Sequence, residues 1–180
     1  MTEEAFQRLI SVESPFSYEF IDGIAYNTTG STPEHSAISS NVEGLLREHL
    51  GRSGPCRVHH DQYVAIPGKP AVVPDIVLTC DLVDWDKNKR LKPFMIQSLL
   101  IVVEVLSPSS ERYDRTEKFT RYMRCPTLEV YFLVSQDEQY IEVYRRSTGW
   151  KQERFSEGQT IKLEQLDLEL PVESIYEGVV

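Results

Sequence analysis

Two carboxylates stand in company that does not suit them. Asp75 lies in "VVPDIVL" and Glu104, 29 positions later, in "LLIVVEVL". Both runs read as strands largely buried on their faces, where a carboxylate costs free energy unless something compensates it. If the two strands are neighbours in one sheet, the carboxylates converge. They would then repel each other until one is protonated. A divalent cation removes that penalty, and Mg²⁺ in particular is held by one or two carboxylates together with water and substrate phosphate. The chemistry implied is metal-assisted attack on a phosphate ester.

Two further side chains fit that chemistry. Lys118 falls on a helix that returns from the end of the Glu104 strand. Its long side chain could reach back to orient a water or to stabilise charge on a phosphoryl oxygen. His35, in "TPEHS", stands in the first turn of another helix and could bind phosphate or assist proton transfer. Each residue also has an ordinary explanation. Asp75 after a proline can serve a turn, Glu104 can pair with a buried arginine, Lys118 can be a solvated helix lysine, and His35 can be a polar first-turn residue. The combination carries the argument, because otherwise each ordinary explanation must hold separately. The run His59-His60-Asp61 looks like a metal cluster, but adjacent strand residues point to opposite faces. Ser107 to Ser110 lack the context of a nucleophile elbow and read as caps for the next helix.

The elements that must position these groups follow from the patterning. "SYEFIDGIAYN" predicts an N-terminal β-hairpin, with Tyr18–Ile21 and Ile24–Tyr26 as arms around Asp22-Gly23. Thr32 and Pro33 open a helix whose apolar residues Ile38, Val42, Leu45, Leu46 and Leu50 keep helical spacing, and Gly51 closes it. "RVHHDQYVAIPG" reads as one strand, and "AVVPDIVLTCD" as another that Pro74 interrupts. The segment after Ser110 is helical, with Phe119, Tyr122 and Met123 on one face, and Pro126 ends it. Two or three antiparallel strands follow. The expected class is α/β, in a single domain over residues 1–180.

Composition narrows the classes. Of the 180 residues 41% are hydrophobic, enough for a core, so disorder is not the default. No run approaches a membrane span, and the acidic start "MTEEAFQRLI" lacks a signal-peptide core. A net charge of −9 argues against a protein that simply coats nucleic acid, though it does not exclude an enzyme that cuts one. Cys56, Cys80 and Cys125 are odd in number and far apart, so no disulfide frame or zinc site is expected, and the expected compartment is the cytoplasm.

In order, "YEFIDG", "TPEHS", "VVPDIVL", "LIVVEVLSPSSERYDRTEKFTRYM", "LEVYFLV" and "IEVYRR" resemble the Uma2 family of restriction-endonuclease-like proteins, within the PD-(D/E)xK nuclease superfamily. The resemblance runs from about Tyr18 to about Arg146. It implies a restriction-endonuclease-like mixed β-sheet core flanked by helices, and an Mg²⁺-dependent (or Mn²⁺-dependent) phosphodiesterase site. Asp75 matches the Asp of the PD motif and Glu104 the second acid. The superfamily pattern wants a lysine two residues later, where this chain has Leu106, and Lys118 is the candidate replacement. Glu19 and His35 match N-terminal residues of the Uma2 pattern.

The resulting expectation is an endonuclease, acting on DNA. Asp75, Glu104 and the Val105 carbonyl would hold the metal, with Lys118, His35 and Glu19 beside it. Arg112, Arg115 and Arg121 would contact backbone phosphates, and a homodimer would suit double-strand cleavage. The alternative is a catalytically weak or inactive nuclease-fold module that binds nucleic acid or a protein partner.

Overall fold

A computed structural model describes residues 1–12, 14, 16, 18–27, 31–51, 54–91 and 94–179. Helix α1 (Glu3–Ile10) leads into the hairpin β1 (Tyr18–Ile21) and β2 (Ile24–Asn27). Asp22 and Gly23 both take positive φ, +48° and +81°, as the two-residue turn requires. Helix α2 (Pro33–Leu50) begins where expected: Thr32 Oγ1 accepts the His35 N–H at 3.1 Å, and Gly51 at φ +64° ends it.

The remaining strands are β3 (Arg57–His60), β4 (Val64–Ile66), β5 (Lys69–Val72), β6 (Ile76–Thr79), β7 (Ile101–Leu106), β8 (Val130–Ser135), β9 (Tyr140–Arg145), β10 (Gln152–Ser156), β11 (Thr160–Leu163) and β12 (Leu168–Pro171). Six of them form the central sheet, in the order β10-β9-β8-β7-β6-β3. Only β7 and β8 run parallel, so a crossover must join them. That crossover is helix α3. It is built from consecutive segments Glu111–Tyr113, Asp114–Lys118 and Phe119–Tyr122, the middle one a π-turn. A short helix α4 (Val172–Ile175) follows β12.

Alternation along the strands divides the core in two. Ile101, Val103, Val105, Phe132 and Val134 face α2, α4 and the β11–β12 ribbon. Val102, Leu106, Tyr131 and Leu133 face Tyr122 of α3 and Val64, Ile66 and Val72 of the β4–β5 ribbon. Burying both faces explains the unbroken apolar runs of β7 and β8. No described helix is long and apolar enough to cross a membrane.

Three expectations need correction. The stretch read as one strand, residues 57–68, is two: Asp61 at φ +49° breaks it, so β3 stays in the main sheet while β4 pairs with β5. The serines after β7 do not cap α3 in the usual way. Ser110 makes no side-chain cap bond; instead Ser107 Oγ accepts the Ser110 N–H at 3.2 Å. Cys56 and Cys80 form a disulfide. Their distance in sequence hid a simple register effect: Arg57 pairs with Thr79 across β3 and β6, so the next residues outward meet.

Candidate active site

The site gathers at the end of β7 nearest α3. Antiparallel pairing sets Ile76 opposite Val103, which brings Asp75, the residue just before β6, level with Glu104. The two then interlock. Val105 N–H donates to Asp75 Oδ2 at 2.6 Å, and Asp75 N–H reaches Glu104 Oε2 at 3.4 Å. Pro74 stands outside β6, so its missing N–H breaks no pairing there.

Lys118 reaches back from α3 as the helical return requires. Its Nζ lies 2.9 Å from Glu104 Oε1 and 3.1 Å from Glu19 Oε1. It also donates to the Val73 carbonyl at 2.9 Å, and Asp114 Oδ1 is 3.5 Å away. Glu19 comes from β1, where it also accepts the Val73 N–H at 3.0 Å. His35 approaches from the first turn of α2, with Nε2 3.3 Å from Asp75 Oδ2. The structure therefore brings together Asp75, Glu104, Lys118, His35 and Glu19. Leu106, at the position where the superfamily pattern wants lysine, is an apolar residue of the α3-facing core.

Two participants escaped the residue-by-residue reading. Tyr122 is fully buried and donates its hydroxyl to Glu104 Oε1 at 2.7 Å. Asp114 is buried, and its Oδ1 has no hydrogen-bond partner. The signal available was spacing: Asp114, Lys118 and Tyr122 are four residues apart in turn. In an ordinary α-helix each such step drifts by about 40°. The wider π-turn takes up part of that drift and keeps the three side chains aimed at β7.

The arginines behave differently from expectation. Arg121 is buried, donating to the Phe20 carbonyl at 2.9 Å and pairing with Glu117. Its charge is not offered to a phosphate. Arg115 is held between Glu111 at 2.8 Å and Glu142 at 2.6 Å. Of the three, Arg112 alone stands exposed.

The electrostatics follow from this crowding. Burial pushes the Glu104 pKa well above the ordinary glutamate value; Lys118 pulls it down, while Asp114, Asp75 and Glu19 push it further up. Burial also raises Asp114, against the pull of Lys118. For Lys118 burial acts to lower the pKa, but Glu104, Glu19, Asp114 and Asp75 together lift it well above the ordinary lysine value. Burial likewise opposes charge on His35, and Asp75 outweighs it to give a raised value.

Four carboxylates thus surround one lysine and one histidine, an excess of buried negative charge that a cation would relieve. The donors are hard oxygens. Among the described residues no three His, Cys, Asp or Glu side chains form a closed cage. Asp75 and Glu104, interlocked through their backbone contacts, offer carboxylate oxygens of the kind taken by an ion that keeps some of its water, as Mg²⁺ does.

Comparison with known proteins bears on the family and the fold. Residues 3–173 match the family model Uma2, described as "Putative restriction endonuclease". An uncharacterized Synechocystis sp. PCC 6803 protein, slr1290, is 32% identical over 166 residues, covering 90% of this chain and 84% of its own. A second from the same organism, sll1609, is 24% identical over 129 residues, 71% of each. A crystal structure from Anabaena variabilis, of "a putative nuclease belonging to DUF820", superposes with a TM-score of 0.79 at 20% identity, over 100% of this chain and 99% of that one. At that identity the likeness establishes the fold, a mixed sheet flanked by helices.

Proposed function

The chain belongs to the Uma2 family, and from that premise we propose that it is a metal-dependent endonuclease hydrolysing phosphodiester bonds, with DNA as substrate. The observation that carries the proposal is the meeting of Asp75 and Glu104 at the ends of adjacent strands, with the Lys118 amine 2.9 Å from Glu104 despite its place on a helix.

Asp75, Glu104 and the Val105 carbonyl would hold Mg²⁺ or Mn²⁺. That ion supplies Lewis-acid polarisation of the phosphate and a more acidic bound water. The protein's own groups do the rest. Val105 N–H and His35 fix one oxygen of Asp75. Tyr122 and Lys118 fix Oε1 of Glu104, and Glu19 ties the β1 hairpin to the same lysine. His35, at the more open side of the cluster, is placed to bind a phosphoryl oxygen or to pass a proton to the leaving group. Arg112 supplies an exposed cation for the nucleic-acid backbone. A homodimer would present two such sites to the two strands of a duplex.

The test is cleavage of plasmid DNA and of RNA with Mg²⁺ or Mn²⁺. Wild type cuts; Asp75→Ala and Glu104→Ala lose the activity by at least about a thousandfold, since each removes a ligand of the ion that supplies the nucleophile, and both keep the circular-dichroism spectrum of the fold. A wild-type protein that cuts neither polymer with any divalent cation would leave the binding-module alternative in possession.

A further inference from the structure

Lys118 raises a question of valence. A lysine ammonium has three N–H donors and no acceptor. Here three oxygens of the protein stand within hydrogen-bond distance: the Val73 carbonyl at 2.9 Å, Glu104 Oε1 at 2.9 Å and Glu19 Oε1 at 3.1 Å. A fourth, Asp114 Oδ1, lies at 3.5 Å, and the Tyr113 ring centroid at 5.9 Å. The side chain is only 6% exposed. One donor goes to the Val73 carbonyl, and two carboxylate oxygens close over the rest of the amine at ion-pair distance, so it is enclosed by oxygens much as a metal ion would be.

We infer that Lys118 is a positioning residue, a tethered counter-cation that clamps Glu104, Glu19 and the Val73 carbonyl and makes no direct contact with the attacking water or the scissile phosphate. The clamp joins three elements that sequence alone leaves far apart: the β1 hairpin, the segment leading to β6, and β7. By occupying Oε1 of Glu104 together with Tyr122, it leaves Oε2, the oxygen that faces Asp75, as the one free to turn to a metal. A lysine carried on a strand two residues after Glu104 would have to approach from the sheet. Delivered from α3, the amine sits behind the carboxylate instead. The assignment rests on the hydrolytic reading of the site for its consequence, though not for its geometry.

Two measurements test it. In the full-length chain with ¹⁵N-labelled lysine, free of metal, ¹H–¹⁵N correlation spectra at neutral pH should show one ammonium group protected from solvent exchange, absent in Lys118→Met. No protected ammonium in wild type overturns the proposal. Calorimetric titration with Mn²⁺ alone then reads the consequence. Lys118→Arg, which keeps the positive charge but not the fit of the ammonium among these oxygens, should bind Mn²⁺ at least about tenfold more weakly, the loss typical when the partner orienting a metal ligand is disturbed. Unchanged or tighter Mn²⁺ binding, with cleavage lost, would mean that the amine acts on water or phosphate and would overturn the assignment. A wild type with the protected ammonium but neither Mn²⁺ binding nor cleavage would uphold the clamp and sink the endonuclease reading. Should Lys118→Met not fold, Lys118→Arg serves for the spectral assignment, and the wild-type spectrum still decides.

Discussion

Strand β6 carries a buried carboxylate problem at each end, solved in two different ways. Beyond its last residue, Asp84 is completely inaccessible. It accepts from the Thr79 hydroxyl at 2.9 Å, the Gln97 N–H at 2.9 Å and the Ser98 N–H at 3.3 Å. One acid meets three neutral donors, and the β6–β7 connection is held closed. Before its first residue, Asp75 and Glu104 meet with Glu19 and Asp114 nearby, and the cationic groups facing the four are Lys118 and His35. A third arrangement lies on the same sheet face, where Glu142 is matched by Arg115, Tyr144 and Gln152. Burial of an acid is therefore no sign of a site in this protein. The distinguishing feature is that four carboxylates meet in one place against one lysine and one histidine.

The comparison breaks most visibly in stability. Asp84→Ala strands a hydroxyl and two amides without partners, and should cost about 3 kcal/mol. For a chain of this length that lowers the melting temperature by roughly 6–12 °C. Glu104→Gln removes charge from a cluster that has too much of it, and should leave metal-free stability unchanged or raised. Melts of the two variants check this. A Glu104→Gln protein that melts as low as Asp84→Ala would mean that Glu104 is structural after all.

The same contrast has a pH signature. The folded state holds the Glu104 proton to higher pH than the unfolded chain does. As pH rises from about 4.3, the ordinary glutamate value, the unfolded chain binds fewer protons than the folded one, so stability falls until the raised Glu104 pKa is passed. His35, also raised, adds a fall of the same sign above the ordinary histidine range. Urea midpoints measured across this interval should decline more steeply in wild type than in Glu104→Gln, without metal in both. Parallel curves would remove the excess-charge account.

Much of this was legible in the residues, unevenly. The Asp22-Gly23 hairpin, the Thr32 cap and the apolar runs of β7 and β8 rest on local chemistry, and the structure has them where patterning put them. Asp75 and Glu104 announced themselves by being wrong for their surroundings. What stayed hidden is what depends on register or on helix winding. The Cys56–Cys80 disulfide needs the β3–β6 pairing. The inward turn of Arg121 depends on where the Phe20 carbonyl of β1 comes to lie, and the line of Asp114, Lys118 and Tyr122 depends on the winding of α3, whose middle segment is a π-turn. Composition could not separate Asp84 from Glu104, because the difference lies in which donors the fold brings to each.

The smallest effect sharpens the comparison furthest. Tyr122→Phe and Thr79→Val each delete a single hydroxyl that donates to a buried carboxylate, at 2.7 Å and 2.9 Å, and each keeps the apolar body of the side chain. The Tyr122 ring remains packed on Tyr131, 5.3 Å between centroids. Each loss should cost about 2 kcal/mol at neutral pH, within the range for a hydrogen bond to a charged group. Their consequences should then diverge. Without Tyr122 the charged form of Glu104 loses a donor, its pKa climbs further, and the decline of stability with pH steepens. Mn²⁺ binding weakens as well, because one of the two groups that orient Oε1 has gone. Thr79→Val should alter neither slope nor metal affinity. Equal responses from the two variants in all three measurements would mean that Tyr122 only fills space, and that the two ends of β6 differ less than their geometry implies.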